Sequence, residues 1–252
     1  MTRMPWLRGR PVRLAVLDYG LFRVHANGRV IGIMGFLIET DAGERVAIDG
    51  GFPAKYAEDA AAATREDRLH EFGEVVSVTP ENRPAPQLAK LGLTPADIDL
   101  FVLTHSHIDH VGALEDFPNA PMVVAKAESD LPKPLYWAGH RPLDWPARET
   151  ITLEEDTELG PGVRLLMAPG HAPGQMAVLL ELPRTGPVLL TGDAISRPAE
   201  IGERFDTAPD PGTALASAER LMRLARDTGA FVIYGHDPAQ WPELRKAPEV
   251  YR

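Results

Sequence analysis

The chain has 252 residues, a formal charge of −10 at pH 7, 44% apolar and 25% charged residues, and no cysteine. That length suits one large domain, residues 1–252, and the apolar-to-charged balance is that of a folded globular protein, not a disordered or fibrous one. The acidic surplus excludes a broad phosphate-tracking surface, so no nucleic-acid partner is expected, and the lack of thiols leaves only nitrogen and oxygen to hold any metal.

In chain order, the opening "MTRMPWLRGRPVRLAVLDYG" has basic residues but no continuous apolar core of a secretion signal. No run approaches membrane-spanning length, so a cytoplasmic protein without a membrane partner is expected. Strand-like runs follow at "VRLAVLDYG", "RVIGIMGFLIET" and "ERVAIDGG", the last two joined by Asp41-Ala42-Gly43 as a hairpin. Residues 54–63 favour helix by composition, and "PAPQLAKLGL" reads as a short helix closed by a glycine. "TPADIDLFVLTH" supplies a Thr94 cap, a proline at the first helical position and a buried strand over 100–103. A helix over "HVGALEDF" comes next.

Further strands are expected at "PMVVAKA", "VRLLMAPGH", "MAVLLEL" and "PVLLTGDA". "GTALASAERLMRLARDTG" is a strongly amphipathic helix that places Leu215, Ala218, Leu221, Met222, Leu224 and Ala225 on its buried side, and "AFVIYGHDP" closes with one more strand. The 24 prolines gather in stiff loops such as "PENRPAP" and the stretch 129–150. That stretch carries Tyr136, Trp137, His140 and Trp145, either as an aromatic lid that sorts substrates or as anchors for a long loop. Phe205 is placed either on a pocket wall or in a surface connection.

The chemistry concentrates in "LTHSHIDHVGALEDF". His105, His107, Asp109 and His110 stand where a strand gives way to a turn, a setting in which metal and catalytic groups gather. Histidines at i and i+2 in extended backbone share a face, so His105 and His107 can grip one ion. Asp109 and His110, where the chain turns, aim at a neighbouring position, which implies two ions. A hydrolytic zinc takes about three protein donors and keeps a place for water. Three further donors, His171 in "APGHAPGQ", Asp193 in "TGDA" and His236 in "YGHD", each follow an apolar run beside a glycine. A carboxylate such as Asp193 can bridge two ions.

"THSHIDH", "APGHAPGQ", "TGDA" and "YGHD" together resemble the metallo-β-lactamase superfamily over nearly the whole chain. The resemblance implies an α/β protein, an αβ/βα sandwich of two mixed β-sheets flanked by helices, with two zinc ions per chain; iron, manganese or cobalt also suit such donors. Carried over by position, His105, His107 and His171 would hold the first ion, Asp109, His110 and His236 the second, and Asp193 would bridge them. Asp49 in "AIDGG" would orient a ligand histidine. His107 speaks against the di-iron redox branch, so hydrolysis by an activated bridging water is implied, with Asp109 also passing a proton to the leaving oxygen.

Within the superfamily the chain is most similar to the N-acyl homoserine lactonases. That implies a small lactone substrate and allows a homodimer. One position departs from the pattern: Ser196 stands where those enzymes carry a tyrosine that hydrogen-bonds the substrate carbonyl. The alternatives are hydrolysis of another ester, a thioester, a β-lactam or a phosphotriester, and, outside catalysis, a silent metal-binding scaffold.

Overall fold

The computed structural model of the protein describes residues 6–117 and 119–252. Two β-sheets carry the chain. The first contains β1 (Pro11–Val24), β2 (Val30–Thr40), β3 (Arg45–Ile48), β4 (Gly73–Ser77), β5 (Leu100–Val102), β6 (Met122–Ala125) and β7 (Thr150–Leu153) in the order β4-β1-β2-β3-β5-β6-β7. The second contains β8 (Thr157–Gly160), β9 (Val163–Met167), β10 (Met176–Leu182), β11 (Gly186–Leu190) and β12 (Phe231–Ile233) in the order β12-β11-β10-β9-β8. Both are mixed: β3, β5, β6 and β7 run parallel, β1 to β3 antiparallel, and in the second sheet only β11 and β12 are parallel.

Period-two alternation explains how the sheets stack. Leu14 and Val16 of β1, Leu100 and Val102 of β5, and Val178 and Leu180 of β10 all join one buried cluster, which therefore lies between the sheets. The intervening residues Ala15, Leu17 and Phe101 point the other way. They meet helices α1 (Lys55–Glu58), α2 (Ala60–Glu66) and α3 (Pro84–Ala89) through Tyr56, Ala63 and Leu88. On the far side of the second sheet, Ala177, Leu179 and Leu189 pack against the long helix, and two short helices, α4 (Lys126–Ser129) and α5 (Ala199–Glu203), precede it in the chain. The long helix, α6 (Pro211–Thr228), is capped by Asp210 and ends at Gly229 in the left-handed region. Helices thus flank two face-to-face mixed sheets, as expected.

Four details differ from the expectations. The helix expected over 54–63 is two helices, because Asp59 leaves helical geometry and its side chain caps α2 at Ala62 N, 2.8 Å away. The helix expected after His110 is one 3₁₀ turn, Val111–Ala113. Here the Gly112 N–H bonds Gly51 O at 2.8 Å and Gly50 N–H bonds His110 O at 2.9 Å, so a neighbouring loop takes groups a helix would need. On α6, Ala214, Ser217, Ala218, Leu221 and Ala225 are buried while Leu215, Met222 and Leu224 flank them half-buried. Strands β4, β7 and β8 were not anticipated.

No helix among the described residues is long and apolar enough to cross a membrane. The C-terminal ends of β3, β5, β9, β11 and β12 deliver Asp49, Thr104, the loop to His171, Asp193 and His236 respectively, which places these residues on loops at strand ends.

Candidate metal centre

His105 and His107 follow β5 and offer different ring nitrogens, with His105 Nε2 3.0 Å from His107 Nδ1. His171 Nε2, from the loop after β9, lies 2.8 Å from the same His107 Nδ1. Burial pushes all three histidines toward the neutral form, His171 down to about 4. Three neutral imidazoles thus turn ring nitrogens toward one point, an arrangement that a cation satisfies and hydrogen bonding alone does not.

A second trio stands beside it. His236 Nε2 is 3.4 Å from Asp109 Oδ2, and His110 Nε2 is 3.8 Å from Asp109 Oδ1. Asp193 spans the two trios: Oδ2 is 3.4 Å from His171 Nε2, while Oδ1 is 3.1 Å from His236 Nε2 and 3.5 Å from His110 Nε2. The candidate ligand atoms of His105, His107 and His171 lie within 4.8 Å of one another, as do those of Asp109, His110 and His236. All seven residues singled out from the sequence are therefore brought together.

The electrostatics of the second trio differ from those of the first. Burial opposes charge on His236 and His110, but neighbouring carboxylates outweigh it. Asp193 and Asp109 raise His236 to about 9, and Asp49, Asp109 and Asp193 raise His110 well above its ordinary value. Burial likewise opposes the Asp193 charge, and His236 and His110 hold its carboxyl well below the usual range. His110 Nε2, His236 Nε2 and Asp193 Oδ1 are buried without a hydrogen-bond partner of ordinary geometry. Buried polar atoms are seldom left so, and their convergence fits a bound cation.

The ring orientations are fixed from behind. The His110 Nδ1–H donates to Asp49 Oδ2 at 2.9 Å, and the His236 Nδ1–H donates to the Gly32 carbonyl at 2.9 Å, which turns each Nε2 inward. Asp49 is itself held by Thr104, whose N–H and Oγ1–H each donate to it at 2.8 Å. Its backbone sits at φ 56°, an uncommon conformation secured by Asp49 N–H bonding Val102 O at 3.0 Å.

Thr104 and Gly32 were not expected from the sequence. Thr104 is signalled only by its place before the histidines. Gly32 acts through a carbonyl 204 residues from His236 and leaves no side-chain signal.

Of the aromatics in 129–150, Tyr136 and Trp145 anchor the segment. Tyr136 is 1% exposed, its hydroxyl donates to Asp67 Oδ2 at 2.6 Å, and Trp145 Nε1 donates to Leu131 O at 2.8 Å. Backbone bonds Tyr136 N to Ser106 O, 2.9 Å, and Ile108 N to Tyr136 O, 3.1 Å, lace this segment to the histidine loop. Phe205 is buried in the cluster under α6, not in a surface connection. Ser196 is half-buried; its N–H donates to Glu200 Oε2 and its carbonyl accepts from His236 N–H, both at 2.8 Å.

Residues 30–236 match the metallo-beta-lactamase superfamily, and the chain belongs to that family. Among its relatives, the N-acyl homoserine lactonase AttM of Azorhizobium caulinodans is 35% identical over 185 residues, covering 66% of this chain and 68% of the relative. AttM of Agrobacterium fabrum is 32% identical over 241 residues, 86% of each chain. A solved N-acyl homoserine lactone hydrolase, with the product N-hexanoyl-L-homoserine bound at its catalytic metal centre, superposes with a TM-score of 0.80 and 25% identity over 96% of this chain and 100% of its own. These relatives are lactone hydrolases, and the likeness extends across both sheets.

Proposed function

We propose that this chain, acting as a single domain over residues 1–252, is a two-cation hydrolase that opens the ring of an N-acyl homoserine lactone or a close analogue. The observation that carries the reading is the placement of Asp193, with one carboxylate oxygen turned to each of two ligand trios. His105, His107 and His171 would hold the first ion, Asp109, His110 and His236 the second, with Asp193 shared. Zinc suits this set of nitrogen and oxygen donors, as do iron, manganese and cobalt. When bound, such a pair supplies an activated water at neutral pH and polarises the scissile carbonyl.

The chain's own residues supply the rest. Asp49 and Gly32 hold the His110 and His236 rings so that both Nε2 atoms face the reaction centre. Asp109, whose Oδ2 stands 3.4 Å from His236 Nε2, would carry a proton to the departing ring oxygen as the ester bond breaks. The 135–137 backbone, paired to the histidine loop, holds that loop in register. The relatives named above, lactonases at 32–35% identity, support a lactone as substrate.

Ser196 favours a second reading. Its side chain is too short to reach a carbonyl from where the lactonases carry tyrosine, and its backbone is committed to Glu200 and His236. A different ester, or a lactone with another acyl group, would then be the better substrate. The test is incubation with a mixed lactone and ester library, followed by mass spectrometry for addition of water with and without chelator. Chelator-sensitive opening of homoserine lactones supports the first reading, chelator-sensitive cleavage of other esters alone supports the second, and no chelator-sensitive cleavage rejects both.

A further inference from the structure

Glu128, in α4 directly after β6, is fully buried at 0% exposure. No basic side chain pairs with it among the described residues. Its oxygens instead collect three donors. Ser106 N–H donates to Oε2 at 3.1 Å, Ser106 Oγ–H donates to the same oxygen, and Gly174 N–H donates to Oε1 at 3.1 Å.

The identity of those donors matters. Ser106 lies between His105 and His107, and Gly174 lies three residues beyond His171. One carboxylate therefore ties together the two loops that bring the first trio into contact, loops 64 residues apart at the His107–His171 pair. The fit is tight: a Cβ on Gly174 would lie 2.6 Å from Glu128 Cγ and 2.7 Å from Ala125 Cβ. Ser106 Oγ also accepts from Leu135 N–H at 2.9 Å, so the same node reaches the segment laced to the histidine loop.

We propose that Glu128 is a positioning residue for the first cation site, clamping the His105–His107 loop to the His171 loop and setting an uncompensated negative charge behind them. This rests on the two-cation reading above. The three donors solvate the carboxylate but do not neutralise it, and a buried charge without a counter-ion is costly. A cation held by His105, His107 and His171 would offset that cost, so charge and geometry would act in the same direction. Glutamine cannot replace it, because both oxygens accept from N–H groups and an amide would turn its own NH₂ toward one of them.

The test is titration of Glu128→Gln with Zn²⁺ under chelator competition, with far-UV circular dichroism as a fold control and His107→Ala and His236→Ala as site markers. Wild-type protein should take two equivalents. Glu128→Gln should weaken one of them by about 10- to 100-fold, the range for groups that orient metal ligands, and leave the other within about threefold. The weakened equivalent should be the one lost in His107→Ala, not the one lost in His236→Ala. Equal weakening of both equivalents, or none, overturns the inference. Failure of wild-type protein to take two equivalents overturns the two-cation reading itself. If Glu128→Gln does not fold, Ser106→Ala, which removes the hydroxyl that donates to Glu128 and accepts from Leu135 N–H, should weaken the same equivalent by about two- to tenfold, and an unaltered titration there overturns the inference.

Discussion

Replacing Asp49 with asparagine perturbs the centre without touching a candidate ligand. Asp49 accepts from Thr104 N–H and Oγ1–H at 2.8 Å each and from His110 Nδ1–H at 2.9 Å. Asparagine has one acceptor oxygen, so its NH₂ must take either the Oδ1 place, against Thr104 N–H, or the Oδ2 place, against the Thr104 hydroxyl and the imidazole. If it takes the Oδ1 place, the buried Thr104 N–H loses its acceptor, at a cost of about 1–3 kcal/mol. If it faces His110, the ring takes the other tautomer and puts its proton on Nε2, where the lone pair is wanted.

The Asp49 charge, one of three that raise His110, is lost in either case. Loss of such an orienting partner typically lowers metal affinity by about 10- to 100-fold. At about 1.4 kcal/mol per factor of ten this is about 1.4–2.8 kcal/mol. Chelator competition reads the affinity and thermal unfolding reads the stability. Unchanged affinity together with unchanged turnover in Asp49→Asn would refute the reasoning, because it would mean that His110 needs no orienting partner.

Three further outcomes are expected. His107→Ala should abolish turnover while leaving the fold nearly intact, since that ring stands at the site's edge, only partly buried, and belongs to no apolar cluster; circular dichroism and activity measured on one preparation check this. Ser196→Ala should alter kcat/KM by no more than about threefold, because the bonds made at this position come from its backbone; a collapse would assign the hydroxyl a direct role. Burial opposes the charge on Asp67, but hydrogen bonds from Lys55, Tyr136 and Tyr56 outweigh it and hold the carboxyl below its ordinary value. Its contribution to stability should be complete above about pH 4 and disappear as pH falls below that, so Asp67→Asn should flatten the acid limb of a stability-versus-pH curve, and an unchanged limb would contradict the assignment.

The seven metal-competent residues were legible because each sits at the end of an apolar run, and a strand that buries both faces, as β5 does with Leu100, Phe101 and Val102 all buried, can only end in a loop at the sheet's edge. The hairpin of β2 and β3 was legible for a similar reason, with Asp41-Ala42-Gly43 as turn and Gly43 at φ 81°. What escaped was decided by distant partners. Strands β4, β7 and β8 lie at or near sheet edges, and in "TITL" of β7 two of four residues are exposed, too short an alternation to stand out.

The turn after His110 reads as helix by composition, yet the backbone of Gly50 to Phe52 packs against Gly112 so closely that a Cβ there would lie 2.2 Å from Phe52 O. Gly32 orients His236 and Glu128 joins two ligand loops through contacts that span 204 and 46 residues in the chain. Local pattern carries no trace of either.

The most direct measurement is anomalous diffraction at the zinc edge from crystals of the protein grown with Zn²⁺. Two peaks are expected, about 3.5–4 Å apart. One should be bounded by His105, His107 and His171, the other by Asp109, His110 and His236, with Asp193 reaching both. A single peak, or peaks elsewhere with these seven side chains unligated, would contradict a shared two-cation centre.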